Sequence, residues 1–197
     1  MELLRNRGRA LLLIAIAAAV ASGGPRSLRA DAPPSEYEVK AAFLYNFLSF
    51  VEWPEASLPE DRFTIAIVGR DPFGSVLDDV VANERHAGRP LVVRRVMRAR
   101  DAADAQVAFL ALPDSQLDGA LADLAARPVL TVGEARDFAK RGGVIQLRVQ
   151  DGRVKFEVNS GAAAAGGLKV SSHLLKLALV VHEREAPGGS GTSRERP

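Results

Sequence analysis

Gly69-Arg70-Asp71-Pro72-Phe73-Gly74 is the first segment whose residue types could do chemistry. It joins a strand-like run to a helix-like one, where α/β folds hold phosphate on backbone N–H groups and the positive end of a helix. The spacing is G-x4-G, but Ser75-Val76 follows where a P-loop needs Lys-Ser/Thr, and it is not G-x-G-x-x-G. A plain strand-to-helix turn is the simpler reading, with Arg70 as the side chain beside any bound anion. Ser171-Ser172-His173-Leu174-Leu175-Lys176 has the outline of a Ser/Lys pair at S-x3-K rather than S-x2-K. It reads as helix capping with Lys176 outside. His86, His173 and His182 lie far apart, none in an H-E-x-x-H or His-x-His context, and no Ser sits in G-x-S-x-G. With no cysteine there is no disulfide, thiolate zinc site or thiol nucleophile. No catalytic residue, metal set or cofactor is implied, and the enzyme reading is set aside.

Binding residues are easier to nominate. Glu52-Trp53-Pro54 holds the single Trp, after an aromatic stretch with Phe43, Tyr45, Phe47 and Phe50. Trp53 either packs in the core or lines a half-exposed pocket or partner surface. Asn159 suits a local backbone bond at an element end. The small residues from Gly161 to Gly167 allow close approach of another helix or a ligand. The candidate partner- or ligand-binding residues are Tyr45, Glu52, Trp53, Arg70, Asn159, Ser171, Ser172 and Lys176.

The elements that must position them follow from periodicity. Ser35 and Glu38 form a capping box before a helix whose apolar face is Val39, Ala42, Phe43, Phe47, Phe50 and Val51, ending near Pro54. Strands are expected at 63–68, 91–96, 106–112 (central) and 129–132. Helices are expected from Asp71-Pro72 to about Asn83, from Asp114 through Leu117, Leu121 and Leu124, over 134–140, and over 171–182. Asp151-Gly152 between two alternating runs predicts a hairpin of 144–149 with 153–158, with Val154, Phe156 and Val158 on one side. Residues 159–167 read as a Gly/Ala-rich turn. This alternation predicts an α/β fold: a single-domain mixed, mostly parallel β-sheet with helices on both faces and a C-terminal hairpin plus helix.

The ends read differently. Arg5, Arg7 and Arg9, an apolar run over 10–20 and Ala19-Val20-Ala21 form an export signal, cleaved near Ala21 or at the second A-x-A, Ala30-Asp31-Ala32. The expected organisation is a signal peptide at 1–21, a flexible segment at 22–34, a folded domain at 35–184 and a disordered tail at 185–197. The net charge of +2 resides in the leader: removing its three Arg and one Glu leaves cations and acids equal in number. A neutral mature chain gives no reason to expect nucleic acid as a partner. At 47% apolar and 25% charged the chain is globular rather than disordered. No apolar run reaches 18 residues, so a spanning helix is not expected.

Several of these segments together resemble the YfiR-like periplasmic family. They are Val39-Lys40-Ala41-Ala42-Phe43-Leu44-Tyr45-Asn46-Phe47 into Glu52-Trp53-Pro54, Ile67-Val68-Gly69, Asp71-Pro72-Phe73-Gly74, Leu130-Thr131-Val132 and Gly142-Gly143-Val144-Ile145. The most specific block is Phe156-Glu157-Val158-Asn159, Ala162–Ala165, Gly167-Leu168-Lys169-Val170-Ser171-Ser172 and Leu174-Leu175-Lys176-Leu177-Ala178. The resemblance covers 36–180. It implies a periplasmic, non-enzymatic regulator that binds the periplasmic portion of an inner-membrane diguanylate cyclase, represses it, and so lowers cyclic-di-GMP and biofilm formation. It further implies a homodimer relieved by envelope or redox stress. Redox gating does not carry over, because this chain lacks the cysteines. The alternative is a small periplasmic solute-binding protein, its ligand at the strand ends near Val68, Leu112 and the Asp71-Pro72 helix start.

Overall fold

The computed structural model describes residues 33–183 and the backbone of Arg194–Glu195. The expected leader at 1–21, most of the segment at 22–34 and most of the tail at 185–197 lie outside the described residues. In chain order the first half comprises α1 (Glu36–Phe47), β1 (Val51–Glu52), β2 (Phe63–Gly69), α2 (Val76–Val81), β3 (Arg85–His86), β4 (Arg89–Val96) and β5 (Val107–Ala111). Then come α3 (Asp114–Leu124), β6 (Leu130–Gly133), β7 (Ile145–Gln150), β8 (Arg153–Asn159), α4 (Ser160–Ala165), β9 (Lys169–Val170), α5 (Ser172–Leu177), β10 (Val180–His182) and β11 (Arg194–Glu195).

Nine strands form one sheet in the order β11-β10-β8-β7-β6-β5-β2-β4-β3, and β1 pairs with β9 in a separate ribbon. The middle of the large sheet is parallel, from β4 through β2, β5 and β6 to β7. Antiparallel pairs join β3 to β4, β7 to β8 and β10 to β11, while β8 and β10 run parallel. The sheet is therefore mixed, which corrects the expectation of a mostly parallel one. The cause is local. Tight turns at Ala87-Gly88 and Asp151-Gly152, all four residues at positive φ, fold the chain straight back on itself. The first of these hairpins was not expected from the sequence.

The capping box forms as expected, with Ser35 N–H donating to Glu38 Oε2 at 2.5 Å and Glu38 N–H to Ser35 Oγ at 3.3 Å. Yet α1 stops at Phe47 rather than near Pro54, because Val51 and Glu52 are taken into pairing with β9 and Ser171 N–H donates to Phe50 O at 2.8 Å. Its buried side is Lys40, Ala41, Leu44 and Phe47, turned from the expected face, and Ala42 is exposed. Four further expectations are corrected. Helix α2 begins at Val76, not Asp71, whose carboxylate instead accepts from Phe73 N–H at 2.7 Å. Residues 136–140 are successive turns, with Asp137 at φ 55° breaking any helix. The stretch read as a turn contains α4, capped by Asn159 Oδ1 accepting from Ala162 N–H at 2.8 Å. The last helix ends at Leu177, and the chain continues as β10 beside β8.

Helices lie on both faces. One face of the sheet packs Ile65, Ile67, Phe109, Ile145, Leu147, Phe156 and Val158 against Leu44, Phe47, Trp53 and Leu77. The other packs Ala66, Val68, Ala108 and Leu110 against Leu117, Leu121, Leu124 and Phe138.

Candidate functional site

The structure brings four of the nominated residues, Glu52, Ser171, Ser172 and Lys176, to two adjoining elements. Glu52 lies opposite Lys169 in the β1–β9 ribbon, and Ser171 and Ser172 open α5 directly after β9. Ser171 is held twice, through its N–H on Phe50 O and its Oγ accepting from Leu174 N–H at 3.2 Å. Its neighbour His173 stacks its ring on Phe50 at 5.5 Å. Glu52, Ser172 and His173 are exposed, as are Lys176 and Leu177 in the last turn of α5, Leu177 at 59%. The result is a surface with an aromatic pair, both signs of charge and one exposed leucine.

Trp53, next in the chain, is not on that surface. It is 8% exposed, its indole N–H donates to Gln106 O at 3.0 Å, and it meets Phe63 edge-on at 5.0 Å. The core reading of Trp53 is thus the one the structure carries, and the half-exposed reading is corrected. His86 lies edge-on to both rings, and burial, reinforced by Arg89, pushes its pKa down.

The remaining nominated residues have partners in other parts of the fold. Tyr45 O–H donates to Glu84 Oε2 at 2.8 Å, and burial together with that carboxylate raises the phenol's pKa. Arg70 is exposed at the end of β2, its N–H donating to Ala111 O at 3.2 Å. Asn159 bonds backbone on both sides, through Ala162 N–H and through its own Nδ2 to Ala139 O at 2.6 Å. The small residues after it serve close approach: a Cβ on Gly166 would meet Arg127 O at 2.3 Å.

The carboxyl end of β2, where the solute-binding alternative would place its ligand, is occupied by the chain's own ions. Asp71 accepts from Arg95 Nε at 2.6 Å, and the same guanidinium reaches Asp78. Those bonds hold the Asp78 carboxyl below the usual range.

Two buried ionic centres were missed from sequence. In the first, Lys40 is 4% exposed along its side chain; its ammonium bonds Glu36 at 2.5 Å and also Glu134, which follows β6. Tyr37 O–H donates to Glu134 at 3.0 Å, and the Tyr37 ring lies 4.6 Å from the ammonium. Burial works to lower the Lys40 pKa, but the two carboxylates outweigh it and the net shift is upward. In the second, the Glu157 carboxylate is 7% exposed and holds Arg148 at 2.5 Å and His182 at 2.9 Å. Burial pushes it up, His182 and Arg148 pull it down, and the bonds prevail. The only sequence signal for the first was the i, i+4 pair Glu36–Lys40. Glu157 read as a solvent-side position of an alternating strand. Among the described residues no group of three or more His, Asp or Glu could hold a metal ion, and no helix is long and apolar enough to cross a membrane.

A family model described as YfiR/HmsC-like matches residues 37–179. No curated protein matches the chain. Among solved structures, a conserved domain protein from Vibrio cholerae O1 biovar El Tor is similar at 15% identity with a TM-score of 0.49, covering 76% of this chain and 60% of that one. The chain thus spans less than two thirds of that structure's length.

Proposed function

Since this chain belongs to the YfiR/HmsC-like family, we propose that it is an exported regulatory binding protein that represses an inner-membrane diguanylate cyclase. It acts without catalysis, by occupying the cyclase's periplasmic portion, and so lowers cyclic-di-GMP and restrains biofilm formation. The observation that carries this reading is the family match across 37–179, nearly all of the described residues. The charge distribution of the leader and its A-x-A sites support export. The surface of Phe50, Glu52, Ser172, His173, Lys176 and Leu177 supports a protein partner, because aromatic and apolar anchors ringed by charge are how such interfaces begin. The solute-binding alternative draws on strand ends that Asp71, Arg95 and Asp78 fill.

The test is a crosslinking pull-down of tagged protein from intact cells, with cyclic-di-GMP measured in the same strains. The expected result is recovery of a cyclase with a periplasmic segment, and cyclic-di-GMP that rises on deletion. Leu177→Asp and Lys176→Glu, both exposed, should each raise cyclic-di-GMP while leaving the melting temperature unchanged. Unchanged cyclic-di-GMP on deletion with no inner-membrane protein recovered overturns the proposal.

A further inference from the structure

The face of β7 and β8 opposite the aromatic core holds a cavity of about 400 Å³. Gln146, Arg148 and Glu157 line it from the strands; Arg136, Asp137 and Lys140 line it from the turns before β7. None of these residues belongs to the surface assigned above to a protein partner.

The polar groups on its wall are unequal. Gln146 is 7% exposed, and its carboxamide oxygen accepts from Ala139 N–H at 3.2 Å. A backbone N–H can only donate, so this bond fixes which end of the amide is which. The –NH2 end is the other one, and it has no acceptor among the described residues. Arg148 gives one bond, from Nη1 to Glu157, leaving Nε and Nη2 without an acceptor there. The acceptors are consumed. Glu157 has Arg148 on one oxygen and His182 on the other, and Asp137 has Arg136 at 3.4 Å and Lys140 at 3.3 Å. Three permanent cations face two carboxylates. The wall thus offers N–H groups with no acceptor among the described residues and more cations than carboxylates, a set that suits an acceptor-rich anion.

The backbone that anchors Gln146 is also held in place before anything binds. The two ends of one residue are clamped, Ala139 N–H by Gln146 and Ala139 O by Asn159 Nδ2 at 2.6 Å. Phe138 beside it is wedged between glycines: a Cβ on Gly143 would come within 2.0 Å of its ring. A volume of this size suits a small metabolite, and a pre-formed wall lowers the entropy lost on binding.

We propose that this cavity binds a small oxyanion, a carboxylate or a phosphate, with the Gln146 amide and the Arg148 guanidinium as its oriented donors and Lys140 as its counter-charge. The inference stands on the cavity alone and is independent of the family assignment. The experiment titrates the full exported chain with inorganic phosphate and, separately, with succinate, at ionic strength matched with sodium chloride. The readouts are calorimetry and the side-chain –NH2 resonances of Gln146. The expected result is a saturable shift of those resonances with one of the two probes, which then distinguishes phosphate from carboxylate. Lys140→Glu, at an exposed position, should weaken that binding about tenfold or more without moving the melting temperature. No saturable binding by either probe beyond the chloride control, or equal affinity in Lys140→Glu, overturns the proposal.

Discussion

On one face of the large sheet, Ile145, Leu147, Phe156 and Val158 run directly into the aromatic side of α1, where Phe47 meets Phe156 edge-on at 5.4 Å. On the other face, the alternate residues of the same two strands are Gln146, Arg148 and Glu157, and no helix among the described residues covers them. The apolar cluster on that side ends at Phe138. Each face also buries one ion. Lys40 lies between two carboxylates and a tyrosine ring, and Glu157 shares its cavity with Arg136, Lys140 and Arg148. The lesson is that one hairpin, by strict alternation, builds a closed wall and an open one. The closed wall is where stability should concentrate, and the open one is free to bind.

The largest effect expected from this contrast is at Trp53. Trp53→Ala removes a buried ring from the closed face and the indole donor on Gln106 O, and should cost about 3–5 kcal/mol in urea unfolding. Gln106 O keeps its bond from Leu130 N–H, so the loss is mainly one of packing. A loss under about 1 kcal/mol would mean that the face is loosely packed there and would undo the comparison.

Next is the Lys40 ion. Glu134→Ala leaves the buried Lys40 ammonium with Glu36 alone, and should destabilise by about 2 kcal/mol, less than for a fully buried pair because Glu36 is half-exposed. Lys40→Met, by contrast, substitutes an apolar chain of similar length and should change stability by about 1 kcal/mol or less. Equal losses in the two variants would show that the ammonium escapes to solvent when Glu134 is removed.

How much of this was legible depended on the range of the forces involved. The capping box at Ser35 and Glu38 and the turn at Asp151-Gly152 are local, set by residues within three positions, and both formed as expected. Segment 134–140 was misread because its helical spacing is overridden from a distance: Glu134 is drawn to Lys40, and Phe138 is fixed by Gly133 and Gly143. The same long-range pairing turned α1, since a lysine scored as polar is buried once two carboxylates reach it. For the candidate site, Glu52, Ser171 and Ser172 were nominated separately, and only the pairing of β1 with β9 joins them. Trp53 could not be placed from sequence, because its burial depends on Phe63 and Gln106, far along the chain. Gln146 and Glu157 occupy strand positions that alternation assigns to solvent, and nothing local distinguishes a cavity wall from open water.

The smallest effects are the ones that separate the two ions by pH. The Lys40 pKa is raised in the folded protein, so its contribution is full below the unfolded value near 10.5 and disappears as pH climbs through the higher folded one. The Glu157 pKa is lowered, so its contribution is present above the unfolded value near 4.5 and disappears as pH falls through the lower folded one. The closed face should therefore weaken in alkali and the open face in acid. In urea unfolding followed across pH, Lys40→Met should flatten the alkaline limb and leave the acid limb alone. Glu157→Gln should flatten the acid limb by about 1 kcal/mol, a modest figure because Arg148 and His182 both reach solvent. A Glu157→Gln profile that still falls as steeply below pH 4.5 as wild type would place the acid sensitivity in other carboxylates, such as Asp78 and Asp104 with their arginines. The open face would then be electrostatically inert in acid, and its charged wall would matter only to what it binds.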